Sequence, residues 1–166
     1  IHMDEETLHV PYLVTGGADG AVRVWKYHNR ELILQYSEHR KGVARVIIDE
    51  VQPNIVHSVG GDCSVLSYDL KAARRMMCHI VNTGMMIGMS QRKDSERELV
   101  TCDTLGRLLY WDIDVRDPVL AVQDPSHYPI RAMEVSPTGR FIAFAGDDFI
   151  LKVLDTKEQL IVSLGQ

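Results

Sequence analysis

Long apolar runs are absent from this 166-residue sequence. None reaches the roughly eighteen residues that a membrane-spanning helix needs, so no span is expected. Basic charge is scarce: 18 Lys and Arg against 23 Asp and Glu leave a net charge of -5. That balance argues against a broad electrostatic grip on DNA or RNA, which requires a basic stripe. Cysteine is sparse, and Cys63, Cys78 and Cys102 form no close pair. Such spacing fits neither a disulfide framework nor a zinc knuckle, and it fits a reducing compartment. No helical period is sustained anywhere. No secretory leader is expected from the opening residues, and Ile1-His2-Met3 reads as a cloning remnant, set apart from the fold.

What the sequence does hold is a repeat. Apolar residues make up 45% of the chain, enough for a sizeable core. Around Leu13-Val-Thr-Gly-Gly-Ala-Asp-Gly-Ala-Val-Arg-Val-Trp25, two β-type runs flank an Asp-Gly turn, the pattern of a hairpin. At a constant step of 43 residues Thr15 becomes Ser58, Thr101 and Phe144; Asp19 becomes Asp62, Leu105 and Asp148; Trp25 becomes Tyr68, Trp111 and Leu154. The next position holds Lys26, then Asp69, Asp112 and Asp155. A fixed period of this size marks a repeat architecture.

Taken in order, the chain predicts a hairpin over 12–25, a strand over 31–36, and strands over 43–48, 55–69 as a hairpin, and 74–80. Further strands are predicted over 85–90, 99–112 as a hairpin, 119–123, 130–135, 141–155 as a hairpin, and 159–164. Four short strands per 43-residue unit is the pattern of propeller blades. The expected fold is therefore all-β: a propeller segment of about four four-stranded blades, over 4–37, 38–81, 82–124 and 125–166. The first blade is expected to lack its innermost strand, and the segment to be part of a larger propeller. The Met76, Met77, Met85, Met86 and Met89 group reads as blade packing, since methionine fills irregular gaps.

The residues in register resemble the WD-repeat (WD40) family. That resemblance implies a structural chain of His, Ser or Thr, Asp and Trp in each blade. The second unit matches with His39, Ser58, Asp62 and Tyr68; the first with Thr15, Asp19 and Trp25; the third with Thr101 and Trp111; the fourth with Asp148. A turn carboxylate can hold an imidazole, the imidazole a hydroxyl, and the hydroxyl an indole N–H. Tyr68 is expected to close the chain in the second unit. The third has Leu105 in place of the carboxylate. The fourth has Phe144 and Leu154, so a purely apolar substitute is expected there, with His127 near its start one place off the usual spacing. The stretch at 14–25 also resembles flagellar and centriolar members of the family, which attach to microtubules.

Catalytic chemistry is not suggested. Gly16 to Gly20 is followed by a strand, whereas a phosphate loop needs a helix there. The seven histidines, His2, His9, His28, His39, His57, His79 and His127, make no pair at metal-ligand spacing. Asp112 and Asp114, and Asp147 and Asp148, read as turn residues. No catalytic residue, cofactor or metal is expected.

The expected activity is a non-catalytic platform for protein partners in the cytoplasm or on the cytoskeleton of a cilium or centriole, with tubulin or microtubule-associated proteins as candidates. Candidate contacts are Arg40, Lys41 and Arg131, the loop of Arg92, Lys93 and Arg97, and the residues preceding each turn carboxylate: Ala18, Gly61, Thr104 and Asp147. Open blade faces at either end invite self-association. A modified-peptide adaptor, for example in a ubiquitin ligase, and a ribonucleoprotein assembly factor are the alternatives in other classes.

Overall fold

A computed structural model describes residues 11–92 and 98–164. The expectations for Ile1 to Met3, His9, Lys93 and Arg97 lie outside the described residues. The described chain is all β, with fifteen strands and no helix. It falls into two compact units, Ile1–Ile80 and Val81–Gln166.

The first unit holds two antiparallel sheets. One consists of β1 (Tyr12–Gly16), β2 (Val22–Lys26) and β3 (Leu32–Tyr36), in that order. The other consists of β4 (Val43–Ile48), β5 (Ile55–Gly60), β6 (Ser64–Asp69) and β7 (Arg74–Ile80). Their shared core joins Val22, Val24 and Leu34 to Val56, Leu66 and Tyr68. Gly16 sits at the seam: a Cβ there would lie 2.5 Å from Val43 Cγ1, so a side chain would force the two sheets apart.

The second unit repeats the plan. Its first sheet is β8 (Met86–Gln91), β9 (Glu98–Asp103), β10 (Arg107–Asp112) and β11 (Leu120–Gln123). Its second is β12 (Ile130–Val135), β13 (Phe141–Gly146), β14 (Leu151–Asp155) and β15 (Leu160–Leu164). Val100, Leu108 and Tyr110 of one sheet pack with Ile130, Ile142 and Phe144 of the other. The Ser90 hydroxyl donates across to Glu134 Oε1 at 2.9 Å. Each sheet is a simple meander of the kind that blade units require.

The period seen in the residues is also a period of the backbone. Gly20, Cys63, Gly106 and Phe149, each 43 residues after the last, all have a left-handed φ, of 81°, 63°, 75° and 61°. Gly20 sits in the turn between β1 and β2, and the other three in the hairpin turn between the middle strands of their sheets. The aspartates after the aromatic positions close the turn at the other end: Asp69 Oδ1 accepts the N–H groups of Lys71 and Ala72, and Asp155 Oδ1 those of Lys157 and Glu158. Asp112 Oδ1 accepts that of Asp114 at 2.9 Å.

Two of the five methionines depart from expectation. Met77, Met86 and Met89 are buried, whereas Met76 and Met85 are exposed. Met76 alternates with buried Met77 along β7 and so points away from the core. Met85 precedes the first residue of β8.

Cys63 occupies a position that costs a side chain about 1 kcal/mol or more in left-handed strain. Cys63→Gly is expected to raise stability by about 0.5–1 kcal/mol after the extra entropy of glycine is counted. Thermal unfolding should show a gain of about 1–4 °C. A loss would mean that the thiol makes contacts that outweigh the strain.

Candidate functional site

Two buried hydrogen-bonded chains organise the second sheet. His39, whose side chain is fully buried, places Nδ1 3.0 Å from Asp62 Oδ1 and Nε2 2.8 Å from Ser58 Oγ. A carboxylate only accepts, so Nδ1 carries the proton and Nε2 accepts from the serine. Ser64 Oγ lies 2.9 Å from the same Nδ1 and donates to Asp62 Oδ1 at 2.7 Å. Asp62 Oδ2 accepts the Arg40 N–H at 2.9 Å, which locks the segment before β4 onto the turn after β5. Burial pushes the Asp62 carboxyl up, but the donors Ser64, Arg40 N–H and His39 outweigh it and leave it below the usual range.

The second chain runs at the opposite end of the same hairpin. His57 places Nε2 2.9 Å from Asp49 Oδ2 and Nδ1 2.6 Å from Ser67 Oγ. Asp49 Oδ1 also accepts the N–H groups of Val51 and Gln52 at 2.9 Å, which fixes the loop after β4. The two imidazoles are therefore protonated on opposite nitrogens. Each set has the residue types of a Ser-His-Asp nucleophile, but His57, Ser58 and Ser67 are buried with almost no exposed surface. A serine that no substrate can reach does structural work, and these chains fix turns.

The other sheets solve the same problem differently. In the first, Trp25 Nε1 donates to Thr15 Oγ1 at 2.9 Å, while Asp19 binds the guanidinium of Arg23 and the Ala21 N–H. The Arg23 guanidinium beside it holds the Asp19 carboxyl below its usual range. In the third, Trp111 Nε1 donates to Thr101 Oγ1 at 2.9 Å. Leu105 leaves the expected carboxylate position empty, and Asp103 takes over from two residues earlier. Its Oδ1 accepts the N–H groups of Leu105 and Arg107, and its Oδ2 the Arg107 Nε at 2.7 Å.

Two expectations are corrected. Tyr68 does not close the second sheet's chain: its hydroxyl is buried and falls short of hydrogen-bond geometry with any group, although Ser58 lies beside it. An indole N–H leaves from the flank of the ring system, whereas a phenol O–H leaves from its tip. The Tyr68 ring instead stacks on Tyr36, with centroids 4.2 Å apart. The fourth sheet is not purely apolar either. Phe144 and Leu154 are buried as expected, but beside them Lys152 Nζ donates to Asp124 Oδ2 at 2.5 Å, to Ser126 Oγ at 3.0 Å and to Asp148. This cation does the job of the histidine, and the exposed His127 takes no part. Burial pulls the Lys152 ammonium down, but the Asp124 and Asp148 carboxylates prevail and leave it above its usual value.

Above these buried groups the turns face solvent. Ala18 is exposed, and Gly61 donates its N–H to Gly42 O at 3.0 Å. Thr104 is fastened on both sides, its N–H to Met85 O and its Oγ1 to the Met85 N–H. Asp147 accepts both arms of the Arg131 guanidinium, at 2.8 and 2.6 Å. Arg131 is thus spent within the molecule, whereas Arg40 and Lys41 are exposed. Arg92 pairs with Glu98 at 2.9 Å. Among the described residues no group of three His, Cys, Asp or Glu side chains could hold a metal ion.

Comparison with known proteins agrees with this geometry. The family model for the WD domain, G-beta repeat, matches residues 6–26. The chain is also similar to cilia- and flagella-associated protein 52 of the pig, with 24% identity over 156 residues that cover 92% of this chain. The mouse and human proteins of that name are each 23% identical over the same share of the chain. The chain spans about a quarter of the length of the curated relatives it matches.

Proposed function

We propose that this run of WD-type sheets is a non-catalytic platform for protein partners, within a microtubule-associated assembly of the cilium or centriole. Each repeat unit, over 4–37, 38–81, 82–124 and 125–166, serves as one blade. The observation that carries the reading is the division of labour at the turns. In the second, third and fourth sheets carboxylates, imidazoles and an ammonium are used beneath the surface, and unlike residues stand at the turns of the four sheets, Ala18, Gly61, Thr104 and Asp147, with Arg40 and Lys41 beside them. A rigid support under variable tips suits recognition, and the two histidine-bound serines, Ser58 and Ser67, are closed to any substrate. The likeness to proteins named for cilia and flagella supports the finer placement.

Co-sedimentation of the full-length protein with stabilised microtubules tests that placement, together with imaging of the tagged protein in ciliated cells. The protein is expected in the pellet and along the axoneme or centriole. A protein that stays in the supernatant and avoids both structures would remove the ciliary reading.

A further inference from the structure

The entry to the second sheet carries two cations that the fold does not use. Arg40 and Lys41 are exposed, and neither side chain has a partner among the described residues. The N–H groups of Lys41 and Gly42 likewise meet no acceptor among those residues. The carboxylates of the neighbouring segments are all taken. Asp19 pairs with Arg23, Glu38 with Arg75, and Asp62 serves His39, Ser64 and the Arg40 N–H. Residues 11–80 hold nine Lys and Arg against seven Asp and Glu, so positive charge is in excess here although the whole chain is acidic.

The backbone beneath the two cations is fixed from both sides. Residues 39–42 lie between the turn after β1 and the turn after β5. Val43 N–H donates to Gly17 O at 2.9 Å, and Gly61 N–H to Gly42 O at 3.0 Å. A Cβ on Gly20 would fall 2.4 Å from His39 O, and one on Gly42 3.3 Å from Ala18 Cα, so main chain rests directly on main chain. The two turns and the entry segment form a ledge floored by Gly and Ala, with Arg40 and Lys41 on it. Both sheets that build it belong to the same unit.

The repeat supplies the contrast. Forty-three residues after Arg40 and Lys41 stand Thr83 and Gly84, and after those Ser126 and His127. The Thr83 carbonyl accepts from the Arg107 guanidinium at 2.6 Å, and a Cβ on Gly84 would lie 2.6 Å from Asp103 Oδ2, where no side chain fits. Ser126 is bound to Asp124 and Lys152. The third and fourth sheets therefore spend this place on their own turns. In the second sheet His39 secures the turn, and the next two side chains are left to solvent.

We propose that Arg40 and Lys41 hold the carboxylates of an extended Glu- and Asp-rich segment of another protein, laid along this ledge. This rests on the platform reading and assigns the chemistry of one of its surfaces. A guanidinium and open N–H groups match a carboxylate in shape and hydrogen bonding, and Lys41 adds charge. An apolar segment would have to strip water from both cations and gain nothing in return. A nucleic acid needs a longer basic stripe than two residues provide.

Binding of a labelled oligoglutamate peptide to the 166-residue chain, read by fluorescence anisotropy beside oligoglutamine of the same length, tests the proposal. The glutamate peptide is expected to bind at least about tenfold more tightly at low salt, and to lose most of that advantage at about 0.5 M salt. Arg40→Ala with Lys41→Ala should weaken it at least about fivefold without lowering the melting temperature, because neither side chain is tied to the fold. Arg30→Ala with Arg116→Ala removes as much charge from other exposed places and should change it less than about twofold. Equal weakening by both pairs would mean bulk attraction and overturn the site, as would equal binding of the two peptides. Tighter binding of a phosphorylated peptide or of single-stranded RNA, lost in Arg40→Ala with Lys41→Ala, would reassign the ledge to phosphate and overturn the carboxylate assignment. If the glutamate peptide fails while the full-length protein still pellets with microtubules, the ledge falls and the platform stands. If the peptide binds and the full-length protein stays in the supernatant, the ciliary placement falls and the ledge stands.

Discussion

Replacing Lys152 by methionine is expected to destabilise the protein by about 3–5 kcal/mol, because the change leaves two buried carboxylates without their cation. The melting temperature should fall by roughly 10 °C or more. The cost is larger than that of a surface ion pair, since the Lys152 and Asp124 side chains are only 7% and 5% exposed. It also has a pH signature. In the parent, the hydrogen bond from Lys152 comes first among the causes that hold the Asp148 carboxyl below its usual 3.8. A carboxyl lowered in the folded state contributes stability that is present above its unfolded value and lost as pH falls through the folded one. In Lys152→Met that contribution vanishes, and two facing carboxylates bind protons more readily when folded than when unfolded. The deficit of the variant should therefore be greatest near neutrality and shrink on acidification towards pH 4 or below. Urea unfolding at a series of pH values reads this directly, and adding Asp148→Asn should restore part of the loss at neutral pH. A uniform deficit at every pH would mean that Lys152 acts through its packed alkyl chain.

His39→Ala is expected to cost about 2–4 kcal/mol. It empties the space of a fully buried imidazole and strands Ser58 and one face of Asp62 at once. The effect should be local in the first instance. Asp62 would lose its ring partner but keep the Arg40 and Ser64 donors, so hydrogen exchange should quicken at Ser58 and its neighbours before the rest of the sheet. His57→Ala should resemble it in size and open the opposite end of the hairpin, around Val51 and Gln52. A change of less than about 0.5 kcal/mol at His39 would show that water can take over the whole chain, and the rigid-turn account would fail.

The strands were legible because short apolar runs recur at a step of 43 residues, and each copy keeps at least part of the turn pattern between them. The Asp-Gly pair at Asp19 and Gly20, and the apolar runs either side of it, specify a hairpin whose register Tyr12 to Lys26 then fixes. The chains of His39, Ser58 and Asp62, and of the two indoles with Thr15 and Thr101, were legible for the same reason: all sit at fixed places in one repeat. What escaped was chemistry that keeps the role and moves the residue. Asp103 acts from two positions before Leu105 because a carboxylate at the strand end can reach the same N–H groups. Lys152 and Asp124 are 28 residues apart and belong to no motif, so only the folded meander joins them. The His57 set did leave a trace, since His57 and Ser67 are direct cross-strand partners once the turn is placed. Tyr68 was misassigned because its position was right and its geometry was not.

Fastening each hairpin from below has a consequence for how such a protein diverges. With Asp62, Asp103 and Lys152 each securing its own bend by different means, the side-chain networks of these three bends have no residue in common. Drift at one apex does not have to be answered by compensating changes at another. A lineage could thus exchange its binding preferences one substitution at a time, at little risk to the framework beneath.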